Sequence, residues 1–125
     1  MRKEIIATKK APAAIGPYSQ GMIVGDLIFT SGQIPLNPQT GELVSEIEEA
    51  TVQVMENISA VLIAAGSSIE KVIKTTIFLQ NLNDFEKVNK IYGNYFKGIL
   101  PARSCVEVAK LPKGAIIEIE AIATK

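Results

Sequence analysis

The sequence predicts an α+β domain, with two amphipathic helices laid on one face of a mixed sheet of about six strands. Three observations carry this. Short runs rich in β-branched residues recur between Gly, Pro and Asn clusters. Two stretches repeat their apolar residues at helical period rather than in alternation. The resulting order is β, β-hairpin, α, β, α, β, β. The 125 residues suit one compact domain, 1–125, with no repeat, linker or low-complexity tract.

Residues 4–7 are a short apolar run and predict a strand. Residues 8–21 are rich in Ala, Pro and Gly and predict a loop ending in Gly16-Pro17-Tyr18-Ser19-Gln20-Gly21. Met22–Val24 and Leu27–Thr30 flank Gly25-Asp26, which predicts a hairpin closed by a type II′ turn. Ser31-Gly32-Gln33 ends its second strand, and residues 34–44 form a turn-rich loop. Ser45 with Glu48 has capping-box spacing. Ile47, Ala50, Val54, Ile58, Val61, Leu62 and Ala65 follow at helical period until Gly66 stops the helix. Val72–Leu79 predicts a long strand. Asn83 with Glu86 opens a second helix whose inward stripe is Phe85, Val88, Ile91, Tyr92, Tyr95 and Phe96, with Gly98 as its end. Residues 103–109 and 116–124 predict two further strands joined through Leu111-Pro-Lys-Gly114.

Two helices cover only one face of such a sheet, yet several strands are apolar on both faces. Val72, Thr76 and Phe78 alternate with Ile73, Ile77 and Leu79. An open apolar sheet face does not stay in water, so a homo-oligomer with sheets packed together is expected.

Composition narrows the function. Basic and acidic residues balance at 13 each, which argues against a protein whose main partner is nucleic acid. No apolar run has membrane-spanning length, and the first residues lack the apolar core of a signal peptide. The single Cys fits a reducing, cytoplasmic setting. With no His there is no Ser-His-Asp triad, Cys-His dyad or His-ligated zinc. There is no phosphate-binding glycine loop and no calcium-loop spacing. Arg, Glu, Tyr, Ser, Asn, Cys, Lys, backbone groups and water remain for chemistry.

Arg103 stands out among them. The chain has 11 Lys and only 2 Arg, the other being Arg2. A guanidinium inside the apolar run Pro101-Ala-Arg-Ser-Cys-Val-Glu-Val is a rigid fork suited to a carboxylate or phosphate. Two readings stand: a grip on an anionic ligand, or a structural ion pair with an internal Glu. By the period of two, Arg103 shares a face with Cys105, and Glu118 with Glu120. Those carboxylates either point to solvent or are paired and used. If the last two strands pair about residues 110–115, Arg103 falls opposite residue 122, and Glu118 lies roughly 13 Å away along the strand. Contact then needs a subunit boundary or a ligand between them. Tyr18 lies in a loop that is either a lid or plain surface. Ser31-Gly32 is either an ordinary turn or a close approach of backbone to ligand. Asn89 is either a buried hydrogen-bonding residue or a boundary position. Cys105, without a His partner, reads as a small hydrophobe rather than a nucleophile.

Ala11-Pro-Ala-Ala-Ile-Gly-Pro-Tyr18-Ser-Gln-Gly, Thr30-Ser-Gly-Gln33, Lys74-Thr-Thr, Asn81-Leu-Asn-Asp-Phe85, Pro101-Ala-Arg-Ser-Cys-Val-Glu-Val and Glu118-Ile-Glu120 together closely resemble the RidA (YjgF) family of reactive-intermediate imine deaminases, nearly end to end. The resemblance implies a chorismate-mutase-like subunit and a homotrimer with clefts between neighbouring subunits. It implies hydrolysis of small 2-imino acids (2-iminobutanoate, 2-iminopropanoate), released by PLP-dependent Thr and Ser dehydratases, to 2-oxo acids and ammonia. No metal or organic cofactor is implied. On this chain Arg103 matches the residue that holds the substrate carboxylate and Glu118 the one that activates water. Tyr18, Ser31, Gly32, Asn89, Pro101 and Cys105 match cleft-lining positions. Some relatives are described as ribonucleases or translation inhibitors. That activity and a non-catalytic, chaperone-like binding module are the alternative readings.

Overall fold

The computed structural model describes residues 1–125. Strands β1 (Lys3–Ile6), β2 (Gly21–Val24) and β3 (Leu27–Thr30) precede helix α1 (Ile47–Ala64). Then come β4 (Val72–Leu79), α2 (Phe85–Gly93), β5 (Ala102–Glu107) and β6 (Ile117–Thr124). The six strands form one mixed sheet in the order β1-β2-β3-β6-β4-β5. Only β4 and β5 run parallel, with α2 as their crossover; the other neighbours are antiparallel. The α+β expectation of about six strands and two helices therefore holds.

The hairpin turns where Gly25-Asp26 predicts. Gly25 has φ +60° and Asp26 is not left-handed, the type II′ pattern whose twist matches its strands. The loop 34–44 is held to α1 by buried Asn57, whose Nδ2 donates to the carbonyls of Ile34 at 3.2 Å and Leu36 at 2.9 Å.

One face of the sheet is the core. Ile28, Ile77, Leu79, Ile117, Ile119 and Ala123 are fully buried against Val54, Ile58, Val61 and Leu62 of α1 and Val88 of α2. The alternation along β6 is complete, with every odd residue from Ile117 to Ala123 buried. Each such aliphatic side chain contributes about 1.5–3 kcal/mol by leaving water. The opposite face carries Ile5, Met22, Leu27, Phe29, Ile122, Phe78 and Val106, neighbours by strand register. No helix lies over it. Phe29 remains 40 % and Val106 44 % exposed there.

Three expectations are corrected. The α1 cap is Glu46, not Ser45: its carboxylate accepts from the amides of Glu48 at 3.0 Å and Glu49 at 2.9 Å. A carboxylate reaches two free amides of the first turn where a serine hydroxyl serves one, and it meets the positive end of the helix dipole. The start of α2 is likewise displaced. Asn81 accepts from the Asn83 amide, and a short 3₁₀ turn over Leu82–Asp84 precedes the helix. That helix ends at Gly93 rather than Gly98. Beyond it Tyr95 donates to Glu56 of α1, while Phe96, one turn past Tyr92, lies tilted against that ring at 4.9 Å.

The third correction concerns strand pairing. β5 does not pair with β6; β4 lies between them, so Arg103 is in register with Thr75 and Thr75 with Ala121. β4 is paired along both edges, parallel to β5 and antiparallel to β6. The crossover through α2 supplies β5 on one side, and the return through 108–116 supplies β6 on the other.

Candidate functional site

The predicted site residues fall into two groups. Tyr18, Ser31, Gly32 and Glu118 line one cleft of about 630 Å³, together with Pro12, Ile15, Leu36, Lys113 and Glu120. Asn89, Pro101, Arg103 and Cys105 lie at the far edge of the sheet, on or beside α2 and β5.

The first group is assembled by backbone pairing. Gln33 and Ile119 exchange amide hydrogen bonds of 2.8 and 3.1 Å, which lays Ser31-Gly32 beside Glu118. The bare Gly32 leaves Glu118 its place: a Cβ there would lie 2.6 Å from Glu118 Oε2. Ser31 donates its hydroxyl to the carbonyl of Ser19 and so ties the Tyr18 loop to this segment. Buried Gln20 holds the same loop from beneath. Its Oε1 accepts from the Thr8 amide, and its Nε2 donates to the carbonyls of Thr8, Ala11 and Pro12. Tyr18 itself is 53 % exposed at the cleft.

Glu118 is half-buried and has no hydrogen-bond partner within the subunit. Burial, and next the Glu120 carboxylate, push its carboxyl above the ordinary 4.5. A carboxyl so placed gives and takes a proton closer to neutrality than an exposed one.

The second group centres on Arg103. Its Nη1 donates to Asn89 Oδ1 at 2.7 Å. Its guanidinium carbon lies 5.2 Å from the ring centre of Phe85 and 5.2 Å from that of Tyr92. Tyr92 is fixed in turn by a 2.7 Å hydrogen bond with Thr75. The intrachain ion pair is thus replaced by an amide and an aromatic cradle. The cradle fixes the fork and leaves its charge uncompensated, with donors to spare for an anion. Cys105 sits two residues along on the same face. Burial raises its thiol above the ordinary 9.0, more than the Arg103 charge lowers it, so it is a neutral wall at neutral pH.

Arg103 and Glu118 do not meet within one subunit. Arg103 shares the helix-covered face with Thr75 and Ala121, while Glu118 and its neighbour Phe78 lie on the open face. By strand spacing and rise their Cα atoms are about 14 Å apart. The roughly 13 Å expected from a direct pairing is close in value but omits both the intervening strand and the reversal of face.

Sequence reasoning gave Gln20 and Lys113 no role, and paired Glu120 with Glu118 without placing it in the site. Gln20 is signalled by a polar residue directly before a strand, followed by no turn that needs it. Lys113 carries the one left-handed φ among non-glycines, +58°, which no sequence pattern announces. Glu120 is visible only as the face-mate of Glu118.

A family model described as Endoribonuclease L-PSP matches residues 8–125. The chain is 51 % identical over 123 residues to a 2-iminobutanoate/2-iminopropanoate deaminase of Escherichia coli K12, with 96 % of each chain covered. It superposes on YyfA of Yersinia pestis, from the conserved Rid family, with TM-score 0.97 and 56 % identity over 99 % of this chain and 100 % of that one. E. coli TdcF with bound serine matches at TM-score 0.94 and 46 % identity over 98 % of both chains.

Proposed function

Because the chain belongs to the Endoribonuclease L-PSP family, the RidA/YjgF proteins, we propose that it hydrolyses small 2-imino acids such as 2-iminobutanoate and 2-iminopropanoate to 2-oxo acids and ammonia. One observation carries the reading: a cradled, uncompensated guanidinium and a desolvated carboxylate stand on opposite faces of one sheet, as two halves of a small-anion site. In a homotrimer that covers the open sheet faces, the β5 edge of one subunit brings its Arg103 to the Tyr18–Ser31–Gly32–Glu118 cleft of the next. The exposed Phe29 and Val106 support that packing, since an apolar sheet face gains by leaving water.

The chemistry follows from charge. The Arg103 fork takes the substrate carboxylate and so fixes the adjacent C=N carbon. Asn89 and the Phe85 and Tyr92 rings keep the fork from turning. Glu118 removes a proton from water as its oxygen bonds to that carbon and the C=N electron pair moves to nitrogen. The nitrogen takes that proton from Glu118; the carboxylate then accepts the hydroxyl proton and passes it to the nitrogen as the carbon–nitrogen bond breaks, so that ammonia leaves and the carbon keeps the oxo group. Glu118 returns its proton along this path and ends as it began. A serine molecule, bound by the relative TdcF, has the size and carboxylate this cleft would take. The substrates would come from PLP-dependent Thr and Ser dehydratases in the cytoplasm.

The test is a Thr dehydratase reaction supplemented with the protein. Faster release of 2-oxobutanoate from the imine, lost in Glu118→Gln, is expected; no acceleration would refute the reading. The shared cleft has its own test. Equimolar mixing of inactive Arg103→Ala and Glu118→Ala subunits should restore about one quarter of the sites of a cyclic trimer. No recovery after verified exchange would mean that one subunit supplies both groups. The family model's description keeps RNA cleavage as the competing activity. Cleavage of a defined RNA that survives Glu118→Gln would move the function away from this cleft.

A further inference from the structure

We infer that Glu120 is a positioning residue for the hydrolysis: its carboxylate, two residues along β6 and in the same cleft, governs when the Glu118 carboxyl holds its proton. The inference rests on the imine-hydrolase reading and adds a role for a second acid at that site.

The geometry leaves Glu120 little else to do. β6 is an interior strand, flanked by β3 and β4, so Glu120 is not an edge charge that blocks strand addition. Alternation puts its Cα about 6.6 Å from that of Glu118 on the same face. Both side chains line the one cleft, and neither has a hydrogen-bond partner within the subunit. Two carboxylates at that separation, beside an apolar wall, resist ionising together.

The surrounding groups do not cancel this. From β4, Phe78 stands opposite Glu118 and Thr76 opposite Glu120, and neither is charged. Lys74 lies diagonal to Glu120 on β4 and lines a hollow with it, but its ammonium is engaged by Ser104 of β5 at 3.0 Å rather than by either carboxylate. From the 31–33 segment come Ser31, Gly32 and Gln33, all uncharged. From the 12–18 loop comes the Tyr18 phenol, and from the turn at 112–114 the exposed Lys113. Within one subunit Glu120 is the one charged group that shifts Glu118, in the same direction as burial; the next subunit's Arg103, which the proposed assembly brings to the cleft, is common to wild type and both variants.

The consequence is functional. The proposed cycle asks one carboxyl to accept a proton from water and return it to a departing amine, which is fastest when its affinity for protons lies near the working pH. A second anion moves it toward that range with no added hydrophobic wall to narrow the cleft.

The experiment compares wild type, Glu120→Gln and Glu120→Asp by two readouts. The first is the acid limb of the pH–rate profile. The second is the titration of the Glu118 carboxyl carbon by NMR in the unliganded protein. In Glu120→Gln both should move to lower pH. Turnover well below the wild-type limb should then rise severalfold, while Glu120→Asp stays near wild type. An unmoved Glu118 titration in folded Glu120→Gln overturns the inference, as does an equal loss of turnover at every pH. The NMR titration needs no catalysis, so the inference is decided separately from the imine-hydrolase reading.

Discussion

Replacing Gly32 by alanine should displace Glu118 and little else. Gly32 is not among the left-handed glycines, so its backbone accepts a Cβ without strain. That Cβ would stand 2.6 Å from Glu118 Oε2, 2.8 Å from Cδ and 3.0 Å from Cγ, against an ordinary contact that begins near 3.4 Å. The carboxylate oxygen must therefore retreat by about 0.8 Å. It is the far end of a side chain with space in the cleft, so the side chain gives way before the backbone does. A displacement of about 1 Å in a group that must sit within reach of both water and the substrate carbon costs on the order of 10²-fold in rate, or about 2.7 kcal/mol of transition-state stabilisation. The assay is 2-oxobutanoate release from dehydratase-generated imine, run beside a thermal melt that should hardly change. The same substitution in a Glu118→Gln background should have no further effect, because both changes then act on a group already disabled. Wild-type turnover in folded Gly32→Ala would refute the placement of Glu118 as the group that activates water.

Arg103→Lys should lower kcat/KM by about 10²-fold although it keeps the charge, because an ammonium offers no planar fork and fits the Phe85–Tyr92 cradle poorly; turnover within twofold of wild type would make Arg103 a packing residue. Cys105→Ser should keep most activity, since burial holds the thiol protonated, and complete inactivation without unfolding would reinstate thiol chemistry. Glu118→Gln should melt higher than wild type at pH 7. The folded-state carboxyl is raised above its ordinary 4.5, so its contribution is full below that value and is lost as pH rises through the raised one. The stability gap should close as pH falls toward 4.5, and a gap that widens there would reverse the sign assigned to Glu118.

The parts of the fold legible in the sequence are those governed by local period and local turn chemistry. The 3.6-residue stripe of α1 and the alternation of β6 each name their buried face, because burial of one face imposes the period. Gly25-Asp26 names its turn because few backbone pairs match the twist of a hairpin. The misses share a different cause. Glu46 displaces Ser45 as cap because two free amides favour a carboxylate, and spacing alone does not express that competition. Tyr95 and Phe96 continue the stripe of α2 past its end, Phe96 against Tyr92 one turn back and Tyr95 bonded to Glu56, so the apolar period overruns the helix. Strand neighbours were the least legible. Two strands consecutive in sequence can pair directly or admit a third between them, and no local period tells which.

The same distinction decides what the candidate site required. Residue types and their parity put Arg103 with Cys105 and Glu118 with Glu120, and both pairings hold. Parity within a strand says nothing about which strand's faces coincide. Inserting β4 turns Arg103 toward α2 and leaves Glu118 on the uncovered side. A single subunit folded this way keeps its cation and its acid from neutralising each other. That separation explains why Arg103 needs Asn89 and two aromatic rings for support, and why Glu118 has no internal partner at all. Had the two met in an intrachain ion pair, Glu118 would be held low and useless as a base near neutrality, and the guanidinium would have no charge left for a substrate. The sheet thus keeps the two groups apart within one subunit, each on its own face.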